Sequence, residues 1–80
     1  IELISPIDPA SPIARFLERN PGGGLHHVAF NVSDLDTALA AATSGGARQA
    51  GSSGRNVHGD RIAFLSPKEL AGVLVELEER

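Results

Sequence analysis

Eighty residues with ten acidic and seven basic side chains, a net charge of −3, amount to one small domain, of a size that buries only roughly 60% of its unfolded surface. With 41% hydrophobic and 21% charged residues the chain sits near the average for soluble globular domains, and no apolar run approaches the roughly 20 residues of a membrane span. The acidic balance leaves no basic stripe to track a phosphate backbone, so neither nucleic acid nor membrane is an expected partner, and the absence of cysteine excludes disulfides, thiolate nucleophiles and Cys-ligated metals.

Three Phe, without Tyr or Trp, are few large side chains from which to build an independent core. The chain therefore reads as a piece of something longer, or as a module that pairs. It begins at Ile1 with no signal or transit pattern, and a cytoplasmic setting is expected.

Ile1 to Ile4, closed by Ser5-Pro6, reads as a short strand. Ser11 and Pro12 stand as N-cap and first residue of a helix of about two turns, with Ile13, Phe16 and Leu17 on one face. Asn20-Pro21 and Gly22 to Gly24 end it. From Leu25 to Val32 the residues alternate: His26, Val28, Phe30 and Val32 share one face, and His27, Ala29 and Asn31 the other. The apolar face calls for a helix, and one follows, with Ser33 as N-cap and Leu35, Ala38, Leu39 and Ala42 at helical spacing. Gly45-Gly46 stops it.

Arg48 to Ala50 reads as a short strand and Gly51 to Gly59 as a Gly/Ser-rich loop. Arg61 to Leu65 and Val73 to Leu77 are the last two strands, the second with Val73, Val75 and Leu77 facing one way and Leu74, Glu76 and Glu78 the other. Glu78 and Glu79 read as a solvated end. The fold class is α+β: residues 1–24 hold one strand and a short helix, and residues 25–80 form a βαβββ module.

Glu2, His27 and Glu76 are polar residues in otherwise apolar strands. Burying a carboxylate or an imidazole without partners is costly, so each calls for an ion pair, a hydrogen bond or a metal. Imidazole with carboxylates suits a divalent transition ion. No contiguous metal, phosphate-loop, dinucleotide or nucleophile-elbow motif is present, so such a site has to be assembled from separate strands. Each residue also has an ordinary reading from pattern alone: His27 bonded to backbone at a strand edge, Glu76 facing solvent on a half-exposed strand, and Glu2 exposed near the terminus. His26 falls on the helix-facing side and reads as structural, and His58 as a loop residue. Arg55, Arg61 and Lys68 are candidate contacts to an anionic substrate, with plain surface as the alternative.

Leu25-His26-His27-Val28-Ala29-Phe30-Asn31-Val32 with Ser33-Asp34-Leu35-Asp36, Gly59 to Lys68, and Gly72-Val73-Leu74-Val75-Glu76-Leu77 resemble the second half of the methylmalonyl-CoA epimerases. That family lies in the vicinal oxygen chelate superfamily beside the glyoxalases. Glu2-Leu3-Ile4-Ser5-Pro6, Ser11-Pro12-Ile13-Ala14 and Phe16-Leu17 look like the segment joining the family's two modules, so the resemblance covers essentially the whole chain. It implies a glyoxalase-like module that pairs, with a second module or with another copy, into a cupped sheet holding one divalent metal (Co, Mn, Ni or Zn). His27, Glu76 and Glu2 fall at metal-ligand positions, and Glu76 also at a proton-transfer position. Ser66 stands where a His is often found.

The implied reaction is metal-assisted epimerisation of the α-carbon of methylmalonyl-CoA, an isomerase activity on an acyl-CoA that passes through an enolate and uses bases on opposite faces. The first module and its carboxylate being absent, Glu76 is the one base in view. Two other readings stay open: another activity of the superfamily such as a lactoylglutathione lyase of the glyoxalase I type, and a non-catalytic ligand-binding module.

Overall fold

The computed structural model describes all 80 residues. Helix α1 spans Pro12–Arg19, β1 His27–Val32, α2 Leu35–Ser44, β2 Gln49–Arg55, β3 Arg61–Leu65 and β4 Leu74–Glu79, with a single 3-10 turn at Pro67–Glu69. The strands form one sheet in the order β1-β4-β3-β2. β4 runs parallel to β1 and antiparallel to β3, and β2 is antiparallel to β3. The α+β class and the βαβββ order, running from His27 to Glu79, are the observed architecture.

Local chemistry accounts for the helix ends. Ser11 Oγ accepts the N–H of Ala14 at 3.2 Å and Pro12 opens α1, while the N–H and side-chain amide of Asn20 close it on the carbonyl of Phe16. In α2 the cap is Asp34, one residue later than expected, with Oδ1 accepting from the N–H of Thr37 at 3.0 Å. Either Ser33 or Asp34 has the right oxygen. Capping at Asp34 makes Leu35 the first helical residue and delivers its side chain to the core, where it is fully buried.

The cross-strand register sorts the two faces. Leu77 of β4 lies opposite Ala63 of β3, and these two with Leu65 of β3 and Leu35 of α2 form the core, flanked by Val75, Val32, Ala38, Leu39 and Ala42. Only four of the 80 residues are buried, which is a small core for holding the module together. The other face carries His27 and Ala29 of β1, Glu76 and Glu78 of β4, and Ile62 and Phe64 of β3. No helix covers it.

Three expectations change. β2 runs through the Gly/Ser-rich segment read as a loop, up to Arg55. Its ladder breaks between Ala50 and Gly54, where Gly51 has φ 71°, so a bulge lets a poor strand former pair with β3. β4 extends to Glu79, and Glu78 and Glu79 are partnered strand residues rather than a solvated end. Residues 1–6 carry no regular structure, because no neighbouring strand completes the hydrogen bonds that Ile1 to Ile4 need.

Candidate functional site

The uncovered sheet face holds the residues singled out by the sequence. His27 opens β1, and Glu76 on β4 sits directly opposite Ala29, two residues further along the same face. The small Ala29 leaves room for the diagonal neighbours to meet, and His27 Nε2 lies 3.2 Å from Glu76 Oε1. Both side chains are largely buried, with 20% and 12% of their surfaces exposed, which rules out an ordinary solvent-facing role for Glu76. The edge of Phe64 on β3 packs against the imidazole of His27 at 5.8 Å between ring centres.

Burial pushes the Glu76 carboxyl above its usual range. The nearby Glu78 charge acts in the same direction, His27 works against it and Glu2 adds to it. Glu78 in turn accepts a 2.7 Å hydrogen bond from the side-chain amide of Asn56 and has Arg80 3.8 Å away. Asn56 ties the β2–β3 turn by accepting the N–H groups of His58 and Asp60. The face is thus a patch of carboxylates with one imidazole at its centre.

His26 belongs to this site, contrary to its placement on the helix-facing side. It stands just before β1, where strand alternation does not yet apply. Its Nδ1 is 2.9 Å from Nδ1 of His27, and its ring makes an edge contact with Phe16 of α1, 5.2 Å between centres and 85° between planes. Burial lowers the pKa of His26, and its neighbour His27 lowers it further. The only advance signal was the doubled histidine itself.

These residues line one open cavity of about 1230 Å³ between the sheet and the N-terminal segment. Glu2, Arg55 and His58 also line it, and Leu3, Ile4 and Val57 give it apolar walls. Glu2 does not join His27 and Glu76 closely enough to make a cluster of three ligating side chains. Arg61 lies away from the cavity, paired with Asp36 at 2.8 Å and Glu79 at 3.5 Å on the helix side. Lys68 lines a separate small cavity with Arg48 and Ser66. Of the three cationic candidates, Arg55 alone faces the site, its guanidinium donating to the carbonyl of Gly59 at 2.7 Å.

The pair has the donor types of a divalent-metal site. Two ligands about 2.1 Å from one ion and at right angles lie about 3 Å apart, which is the spacing of His27 Nε2 and Glu76 Oε1.

Comparison with known proteins bears on the fold and the family. The family model of the glyoxalase/bleomycin resistance protein/dioxygenase superfamily matches residues 1–64. The ethylmalonyl-CoA/methylmalonyl-CoA epimerase of Cereibacter sphaeroides is 46% identical over 99% of the chain and 60% of its own length. The crystal structure of methylmalonyl-CoA epimerase from Mycobacterium tuberculosis superimposes with a TM-score of 0.82 at 40% identity, over 92% of this chain and 49% of that one. A Streptomyces coelicolor methylmalonyl-CoA epimerase variant in complex with 2-nitronate-propionyl-CoA gives a TM-score of 0.82 at 37% identity, over 92% of this chain and 51% of that one. The chain thus spans 60% of the curated relative and about half of each crystal structure. The alignment to the curated relative covers nearly the whole chain, while the family model stops short of β4 and Glu76. No helix is long and apolar enough to cross a membrane.

Proposed function

The chain belongs to the glyoxalase/bleomycin resistance protein/dioxygenase superfamily, and from that premise we propose that it is the metal-binding, base-bearing portion of a methylmalonyl-CoA epimerase. The observation that carries this reading is the His27–Glu76 pair, 3.2 Å apart on the open face of the sheet, in a chain 46% identical to an epimerase. The epimerase relatives favour it over lactoylglutathione lyase chemistry, and the acyl-CoA analogue bound by the Streptomyces coelicolor enzyme favours an acyl-CoA substrate.

In this reading His27 and Glu76 would hold a divalent ion, while Glu2 lines the same cavity without reaching the pair. Such an ion (Co, Mn, Ni or Zn) supplies positive charge that stabilises the negative charge appearing on the substrate when its α-proton leaves. Glu76 takes that proton. Leu3, Ile4 and Val57 shield the acyl group from water, and Arg55 offers its charge to an anionic part of the substrate. Residues 1–24 act as the connection to a second module, which completes the cup as part of a longer chain or as a second copy.

One base removes and returns a proton on one face, whereas inversion takes a second base on the opposite face. Each chain has one well-placed carboxylate, so one copy exchanges the α-proton of methylmalonyl-CoA for deuterium without inverting the centre, and inversion takes a second carboxylate from another module or copy. The test is deuterium uptake in D2O with Co²⁺ present. Uptake that falls at least about 100-fold in Glu76→Gln supports the assignment. Absence of uptake by the parent chain, or full uptake by Glu76→Gln, overturns it.

A further inference from the structure

We propose that His26 is a positioning residue that fixes the ring and the tautomer of His27, an inference that rests on the metal reading of His27 above. The two Nδ1 atoms lie 2.9 Å apart. At that distance one of them carries a proton and the other presents its lone pair, since two N–H groups or two lone pairs would repel. With the proton on His26 Nδ1, the neutral His27 carries its own proton on Nε2 and donates it to Glu76 Oε1 at 3.2 Å. With the proton on His27 Nδ1, the lone pair of Nε2 faces the Glu76 carboxylate at 3.2 Å, a repulsive arrangement that a cation bound between them makes favourable.

The pair therefore has two states that differ in where two protons sit. Without a cation they are on His26 Nδ1 and His27 Nε2. With a cation on His27 Nε2 they are on His27 Nδ1 and His26 Nε2. The His26 Nδ1 proton crosses to His27, and the proton displaced from His27 Nε2 is replaced by one on His26 Nε2 through solvent, so the pair releases none. In both states the hydrogen bond between the Nδ1 atoms persists and aims His27 Nε2 at the cavity. Phe16 holds the other side of the His26 ring at 5.2 Å, which gives the connecting helix α1 a direct part in seating the site.

The experiment uses the full chain labelled with 15N, with the tautomers of both histidines read by long-range proton–nitrogen correlation before and after addition of Zn²⁺ at a pH where imidazole is neutral. The expected result is His26 Nδ1–H with His27 Nε2–H in the metal-free chain, inverted to His27 Nδ1–H with His26 Nε2–H on saturation. His26→Phe keeps a ring against Phe16 but offers no acceptor, and is expected to weaken Zn²⁺ binding roughly 10- to 100-fold. His26→Gln, whose amide oxygen accepts, restores most of the affinity. Unchanged tautomers on Zn²⁺ binding, or parent-like affinity in His26→Phe, overturns the positioning role while leaving the metal reading intact. Should His26→Phe not fold, the tautomers of the parent chain decide. A parent chain that binds no Zn²⁺ removes the metal reading, and the metal-free tautomers then decide by themselves whether His26 sets His27.

Discussion

Glu79 Oε2 on β4 accepts the backbone N–H of Leu35 at 2.8 Å, so the strand that carries Glu76 toward the cavity also anchors the first turn of α2 on the opposite face. An acidic group at a helix N-terminus satisfies an otherwise unpaired donor and complements the helix dipole. Helix, core and candidate site are coupled through one strand.

That coupling sets a stability difference. Leu35→Ala removes the one large side chain that is fully buried and is expected to cost about 3 kcal/mol. Glu79→Ala removes a cap and is expected to cost about 1 kcal/mol. Urea denaturation of both variants checks the order, and equal costs would contradict the account of the core.

The Asp36–Arg61 pair gives a pH dependence. The hydrogen bond from Arg61, and then its charge, hold the Asp36 carboxyl below its usual range. A group with a lowered pKa contributes stability above its unfolded pKa and loses it as pH falls through the folded value. Asp36→Asn is therefore expected to lower Tm slightly at neutral pH, with the difference closing as pH falls below the carboxylate range. Because Asp36 is exposed, about 0.5 M salt also shrinks the difference. A Tm difference that ignores both pH and salt would point to another cause.

Asn56 ties the rim of the cavity to the sheet through Glu78, Asp60 and the N–H of His58. Asn56→Ala breaks these bonds together and is expected to cost about 1–3 kcal/mol. Faster amide hydrogen exchange of residues 56–60, with the β1 amides unchanged, is the signature to look for. Equal exchange across the chain would mean the turn is held by other contacts.

Much of the site was legible in the sequence because strand alternation is a local rule. The period of two put His27 opposite the helix-packing side and set Glu76 apart from Val75 and Leu77, as the register has it. What the sequence concealed depends on partners distant along the chain. Gly51 to Arg55 reads as loop from its Gly and Ser content, yet β2 continues through it and pairs with β3 at Gly54 and Arg55. Ile1 to Ile4 reads as a strand from its branched side chains, yet nothing pairs with it. His26 was misplaced because it precedes the first paired residue of β1 and turns toward His27. The exclusion of Arg61 and Lys68 from the cavity likewise follows from tertiary packing.

The central claim is that His27 and Glu76 are joint ligands of a divalent ion, and calorimetric titration of the purified chain with Co²⁺ tests it most directly. With two close donors in each chain and several positions to fill around a transition ion, the account predicts binding at one ion per two chains. It also predicts that His27→Ala abolishes this binding and that Glu76→Gln severely weakens it. Weak heat typical of scattered surface carboxylates, unchanged by His27→Ala, would contradict it and make the pair a structural contact of the sheet.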